Sequence, residues 1–518
     1  MHMYSIKRYL GFKYFDNARI KNISECFMKR LNSHCLLKLN LLLVLTLILL
    51  QGCFGIGPKL GPDYLQPKLE MQDAWHQALT DGLVAGEANL QTWWMVFNDP
   101  VLNRLIERAD QGNLQLKESF ARIKEARAIR GIEAGERFPD LNSTGDARRR
   151  RSPHTFLPPT TQKSRTDEFF KFGGEGSWEI DFWGRIDRSI ESADASLSAS
   201  VEDYRDVLVV LYADVSTNYV EVRALQDRIK YVRGNIETQR KSLQLTKDRF
   251  NAGLAPMLDV QQAELNLAMT ESLLPSLQLQ LVQTINSLGV LLGEHPGTLH
   301  EELGIQASIP KTSEHITVGL PVELLRQRPD IRQAERELAA QTALIGVAKA
   351  DLYPSFSLFG TFEVAANDFS DVFSYSKSRM HSFGPSFTWN IFDGGRVRNQ
   401  IRVENARTEQ LLVRYEQTVL NALEDVENAM VSYIQEGVRL EALERSVMAA
   451  RKSTELVNTL YMNGLTDFQN VQEMERFQFE QEDKFAESEG QVIQNLISVY
   501  RSLGGGWTPE SVQHAQAK

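Results

Sequence analysis

Cysteine occurs three times in this 518-residue chain, as Cys26, Cys35 and Cys53. Beyond residue 53 there is no thiol, which excludes a disulfide framework, a cysteine-ligated zinc site and a cysteine nucleophile from the body of the protein. Cys53 has a setting of its own. It follows residues 41–50, a run made mostly of leucine, with Lys29, Arg30 and Lys38 before the run and Gln51 and Gly52 after it. Ten residues cover about half of the ~20 that a permanent transmembrane helix needs, so the run reads as the apolar region of a secretory signal. A buried apolar helix or a single-pass anchor is the alternative that the short span and flanks disfavour. Leu50, Gln51, Gly52 and Cys53 resemble a bacterial lipobox, which makes Cys53 the acylated first residue of the mature chain. Met28 reads as the start of that signal, leaving residues 1–27 as an upstream extension. Phe54 stands where an aspartate would retain a lipoprotein at the inner membrane, so the expected destination is the outer membrane.

Other chemistry is sparse. The nine histidines are scattered, and there is no glycine-rich phosphate loop, metal-ligand spacing or nucleophile motif, so no enzyme, metal or cofactor is expected. Arg148, Arg149, Arg150 and Arg151 form the one strongly basic run. Nucleic acid could use such a run, but four residues are short for a patch, and Pro153, Pro158 and Pro159 follow it. It reads as a strand-to-loop junction at an external loop or a lumen rim. The formal net charge of −10 also argues against nucleic acid as a partner, because phosphate contacts need clustered cations. The pair Trp93 and Trp94 could stack a ligand; burial of the amino-terminal segment against helices is the simpler use.

The elements that must carry these residues come in two copies. A shift of 211 positions lays Trp178, Ile180, Gly184 and Arg185 on Trp389, Ile391, Gly395 and Arg396, and Gly253, Leu254, Val260 and Glu264 on Gly464, Leu465, Val471 and Glu475. One constant offset over this much chain is duplication of a structural unit. Each copy holds a proline-free stretch with a sustained heptad seam, running from Val201 to Phe250 in the first and from Leu412 to Tyr461 in the second. Roughly 65 residues at 1.5 Å each make a helix ~100 Å long, and the strict seven-residue period demands a left-handed supercoil. Each helix ends at a glycine, Gly253 or Gly464, and a second helix returns over residues 256–292 or 466–503. Each copy is therefore a long antiparallel hairpin.

Ahead of each long helix the period changes to two. Residues 169–182, 355–364 and 382–392 alternate apolar and polar, and a weaker run over residues 141–150 completes a set of four strands by symmetry. Such runs, apolar on one side and rich in aromatics, suit a membrane barrel with a wet lumen. A soluble sandwich needs a second layer, which helices of this length leave no chain to supply. Four strands fall short of the eight of the smallest membrane barrels, so closure must come from several chains.

At this point the residues resemble a known family, the TolC-like outer membrane factors, and within it the NodT-type lipoprotein branch. The resemblance rests on Gly61 to Tyr64; Trp93, Trp94, Phe97, Asp99 and Pro100; Leu320 and Pro321; Arg328 to Ile331 with Ala334 and Glu335; Leu352 to Ser355; and Phe392 to Arg396. It implies a mainly α fold with membrane β: a trimeric twelve-stranded outer-membrane β-barrel, four strands per chain, continued by an α-helical coiled-coil barrel. Residues 1–52 would be the signal region, 53–98 a lipidated segment packing on the helical belt, 99–292 the first repeat, 293–327 an equatorial linker, 328–507 the second repeat and 508–518 a tail.

The implied function is the passive exit duct of a tripartite efflux system, anchored in outer-membrane lipid and extending into the periplasm. Its partners would be two further copies of itself, a periplasmic adaptor and a proton-driven inner-membrane transporter exporting drugs or other small molecules. Gly253, Leu254, Asp259, Gly464 and Leu465 would form the adaptor-docking hairpin tips. The family closes its periplasmic aperture with acidic residues six and nine positions after the second hairpin glycine and often an arginine at twelve, which here places Asn470, Glu473 and Arg476. Asn470 departs from the usual aspartate. The alternative function is a periplasmic coiled-coil lipoprotein that tethers or braces.

Overall fold

A computed structural model describes residues 58–69, 74–77, 80, 83–85, 90–152, 165–311, 316–318 and 327–511. Cys53 and the whole signal region lie outside the described residues. The described residues divide into two compact units, one built from residues 137–184 and 354–389, the other from residues 59–136, 185–353 and 390–511. Both repeats contribute to both units.

The first unit is a four-stranded antiparallel sheet. Its strands are β1 (Asp140–Ser152), β2 (Arg165–Ile180), β3 (Ser355–Ala366) and β4 (Arg379–Thr388), paired in that order, so that β1 and β4 are free edges. Register assigns the faces, because residues directly opposite in a ladder share a face. Phe172 pairs with Val364, Trp178 with Leu358 and Phe356 with Phe387, which gathers most of the large apolar side chains on one face, with Phe169 and Phe359 on the other. The other face carries Asp140 opposite Ser177, Thr361 opposite Ser382, and Glu363 opposite Gly173. A Cβ at Gly173 would come within 2.6 Å of the Glu363 side chain, so glycine makes room there for the Glu363–Lys171 ion pair at 2.5 Å. The apolar face is uncovered: Phe172 is 61% exposed, Phe383 79% and Phe387 67%. The basic run closes β1, whose last residue, Ser152, follows it directly. Strand alternation hides this in the sequence, because arginines occupy both faces.

The second unit is helical. It comprises α1 (Pro100–Gly112), α2 (Leu114–Gly135), α3 (Arg185–Asn251), α4 (Met257–Leu291), α5 (Pro329–Ala350), α6 (Arg396–Met462) and α7 (Phe468–Ser502). The 211-residue offset carries both ends of α3 onto those of α6, and both ends of α4 onto those of α7. Each long helix has 67 residues, about 100 Å at 1.5 Å per residue. The heptad seam faces inward: Tyr415, Val419, Ala422 and Val426 of α6 and Leu208, Leu211, Val215 and Val222 of α3 are all buried. Phe250, the last seam position of α3, is 36% exposed where the hairpin ends. No helix among the described residues is long and apolar enough to cross a membrane.

The motif residues clamp the helical unit together. Asp99 caps α1, accepting from the Val101 and Leu102 amides at 2.8 and 3.2 Å, and also accepts from the Tyr219 hydroxyl at 2.6 Å. Trp93 stacks on Tyr500 at 5.3 Å and Trp94 meets Tyr212 edge-on at 4.8 Å, so the tryptophan pair is core. Asp393 accepts from the Gly395 and Val397 amides, both at 2.8 Å, and these bonds to its charged form hold its carboxyl below the usual range. Arg188, buried in α3, donates to the Leu60 carbonyl, Asp63 and Glu191. Beside it, a Cβ on Gly61, which has φ +90°, would lie 2.5 Å from the Gly346 Cα, so this crossing of two backbones admits glycine alone.

Arg328 gathers another set. It donates to the Ser502 carbonyl at 2.9 Å, to Asp330 at 2.8 Å and to Asp425 at 3.2 Å. These residues line a cavity of about 480 Å³ with Asp206 and Arg501. Burial, reinforced by the Asp330 charge, pushes the Asp206 carboxyl up to about 6 against the opposing pull of Arg328.

Candidate functional site at the hairpin tips

Both hairpins end in one backbone design. In the first, the Gly253 amide donates to the Phe250 carbonyl and the Leu254 amide to the Arg249 carbonyl, at 2.9 and 2.8 Å. In the second, the Gly464 amide donates to Tyr461 and the Leu465 amide to Leu460, at 3.0 and 2.9 Å. Gly253 and Gly464 have φ of +73° and +71°, a conformation costing other residues about 1–2 kcal/mol. The turns project Leu254 and Leu465, 68% and 72% exposed, away from the bundle. Behind them Leu243, Val260, Ala263, Val457, Phe468 and Val471 form a small core of their own that binds one hairpin tip to the other.

Three polar groups at the tips break the repeat. Arg249 donates to the carbonyls of Tyr461 and Met462 at 2.8 and 3.3 Å, and its guanidinium lies 4.5 Å above the Tyr461 ring. A cation on the last carbonyls of α6 meets the negative end of that helix. Its counterpart 211 positions on is Leu460, so only the first hairpin carries this cap. Asp259, in the first turn of α4, is held above the usual carboxylate range by burial and by the charge of Asp467, with Arg249 opposing. The counterparts of Asp259 and Asp467 are Asn470 and Pro256. Departures of one copy from the other are the signal by which sequence could have found Arg249 and Asp467.

The aperture candidates follow on α7. The Asn470 amide donates to the Thr466 hydroxyl at 2.8 Å, and Asn470, Glu473 and Arg476 are all exposed. Glu473 and Arg476 share a helix face, yet among the described residues they form no ion pair. Arg476 instead lies 5.4 Å over the Phe477 ring, and its charge helps hold Glu480 low, after the larger effect of Lys484. Between them in the sequence, Glu475 is buried; it accepts a hydrogen bond from Ser242 and is pushed up by its burial. Glu482 is buried too, and takes Arg451 at 2.7 Å and Asn235 at 3.0 Å.

Comparison with known proteins agrees with this architecture. The sequence profile of the family described as outer membrane efflux protein matches residues 105–294 and 320–505, one match in each repeat. The chain is 31% identical to nodulation protein T of Rhizobium leguminosarum bv. trifolii over 83% of this chain and 89% of that protein. It is 30% identical to the pyoverdine export outer membrane protein OpmQ of Pseudomonas aeruginosa, over 90% of this chain and 97% of that one. Among solved structures, the outer-membrane channel OprN superposes with a TM-score of 0.81 at 37% identity, covering 87% of this chain and all of that one.

Proposed function

This chain belongs to the outer membrane efflux protein family, and from that premise we propose that three copies of it form the exit duct of a tripartite pump. It is an outer-membrane efflux channel that extends into the periplasm. The observation that carries the trimer is the four-stranded sheet with an apolar face, a polar face and two free edges. In lipid, unpaired backbone groups on β1 and β4 cost several kcal/mol each, and joining β4 of one copy to β1 of the next removes every edge. Twelve strands leave the polar face toward an aqueous lumen. A coiled-coil tether has no use for such a sheet.

The helical unit supports the same reading. Leu258, Leu265, Met269 and Leu279 make an exposed apolar stripe on α4, and Val413, Leu420, Val431 and Val438 make another on α6. Stripes on opposite hairpins suit a head-to-tail ring, in which each copy presents two different surfaces. Lipidation of Cys53 adds an anchor to a barrel that already holds itself in the membrane. The exposed tip leucines, with Gly253, Gly464 and Asp259, dock a periplasmic adaptor, through which a proton-driven transporter delivers drugs or other small molecules. Asn470, Glu473 and Arg476 line the resting aperture. Native mass measurement in detergent, followed by conductance in a planar bilayer, tests the assignment. A trimer that conducts is the expected result; a stable folded monomer that does not conduct overturns it.

A further inference from the structure

Residues 367–378, which join β3 to β4, fold back onto the sheet. They form two one-turn helices, Phe369–Val372 and Tyr375–Ser378. Phe369 meets Phe170 edge-on with ring centroids 5.4 Å apart, and the first short helix touches β2 as well as β3. Phe170 pairs with Ala366 and stands two positions before Phe172, so it shares the face of Phe172, Val364 and Leu358. The connection is therefore hung on the apolar face of the sheet and does not continue straight off its end. Phe170 with Ala366 is the last pair of the β2–β3 ladder, and at the other end of that ladder Ile180 leads on to α3. The connection thus marks the end of the sheet away from the periplasm, at the outer leaflet.

Its shape is fastened from within. The Ser378 side chain, 2% exposed, shares its hydroxyl proton between the carbonyls of Val372 and Ser374, both at 3.0 Å, and its amide donates to Ser374 at 3.1 Å. Lys377 and Asp371 form an ion pair at 3.8 Å across the two short helices. Held this way, Phe373 stands edge-on to Phe369 at 5.5 Å, and a row of three rings runs outward from Phe170 through Phe369 to Phe373. The outer two are 62% and 76% exposed. Adjoining rings left this bare mark a contact surface, and theirs is continuous with the face that the barrel turns to lipid.

We propose that residues 367–378 form a flap that sets Phe369 and Phe373 among the acyl chains of the outer leaflet and so draws the β3–β4 connection away from the mouth of the duct. The Asp371–Lys377 pair gives the flap a polar side for the headgroups. The inference rests on the trimeric barrel proposed above. Residues 54–518 contain no cysteine, so Phe373→Cys carries a nitroxide label at one site, with the parent labelled in parallel to subtract any signal from Cys53. The full-length protein is placed in phosphatidylethanolamine vesicles containing purified lipopolysaccharide. Accessibility to molecular oxygen, which enters lipid, is compared with accessibility to a water-soluble nickel chelate. Phe383→Cys on the apolar face and Ser382→Cys on the polar face of β4 supply the lipid and lumen references, and trimer mass is read on every sample. The label at 373 is expected to match the one at 383, with an oxygen-to-chelate ratio several-fold above that at 382, and Phe369→Ser is expected to lower the ratio at 373 several-fold by releasing the flap. A label at 373 that matches the one at 382, is shielded from both agents by a second copy, or is indifferent to Phe369→Ser overturns the flap; with the label at 383 in lipid, the barrel stands. A label at 383 that reports water, or a parent that does not trimerise, overturns the barrel as well.

Discussion

Arg249 and Tyr461, 212 residues apart, are joined twice: the guanidinium donates to the Tyr461 carbonyl at 2.8 Å and lies 4.5 Å over its ring. The pair fastens the end of the first long helix to the end of the second. Arg249→Ala removes the C-terminal cap of α6 and the ring contact together, a loss of about 1–2 kcal/mol at the tip. Faster amide exchange over residues 459–465 and more frequent channel openings are expected, with Arg249→Lys intermediate because an ammonium caps carbonyls but stacks less well. Unchanged exchange in Arg249→Ala would show that the tip core alone holds the hairpins.

Leu254 and Leu465 are the apolar ends of the two turns. Cysteines placed at either position are expected to crosslink to a periplasmic adaptor in intact cells, and Leu254→Asp with Leu465→Asp to abolish export while leaving trimer mass unchanged. Export at the parental level from the double variant would remove the tips from the docking surface.

Glu473, proposed for the aperture, forms no ion pair among the described residues. Three copies around an axis would place three such carboxylates close together, a setting that attracts cations. Glu473→Ala is expected to weaken block by divalent cations several-fold and to lower cation selectivity; Arg476→Ala is expected to loosen the closed state. Parental single-channel behaviour in both variants would move the constriction elsewhere.

Asp206 gives a pH dependence whose sign is fixed. Its folded pKa of about 6 exceeds the ordinary 3.8, so the folded state holds the proton more tightly than the unfolded chain does. The stability is full below pH 3.8, falls as pH rises from 3.8 to about 6, and is level above that. Burial is the main cause, Asp330 and Asp203 push in the same direction, and Arg328 and Arg501 oppose. Asp206→Asn is expected to gain at most about 3 kcal/mol at neutral pH and nothing below pH 4, read as the melting of the trimer across that range. An equal effect at both pH values would mean that Asp206 does not titrate there.

Cys53→Ser is expected to end incorporation of labelled fatty acid while some outer-membrane trimer survives. Labelling that persists in the variant would place the lipid on another residue.

The long elements were legible because their signals repeat. A heptad seam over fifty residues averages out its exceptions, and Gly253 and Gly464 mark the turns at one offset. β1 was the weak strand because Gly145 and the arginines interrupt the apolar alternation that identifies β2 and β3. Candidate positions on the tips followed from counting from Gly464, yet their electrostatics did not: Arg476 and Glu473 have the spacing of a helical pair, and the Phe477 ring takes Arg476 instead. The Arg249 cap was hidden because the contact spans two helices and one partner is a backbone carbonyl, which sequence does not distinguish from any other. The sixty-first residue posed the same problem, since its glycine is explained only by Gly346.

That crossing of Gly61 and Gly346 sets the length of a leash. Gly61 stands eight positions after Cys53, and a fully extended chain gains at most ~3.5 Å per position, or about 28 Å in all. With Arg188 gripping the Leu60 carbonyl and Asp63, no further slack can be drawn from beyond the clamp without breaking buried bonds. A lipid on Cys53, as proposed above, would thereby be confined to a membrane surface within that radius of the first turn of α3. Its acyl chains would then act as a depth gauge, limiting how far each subunit rides up or down in the membrane.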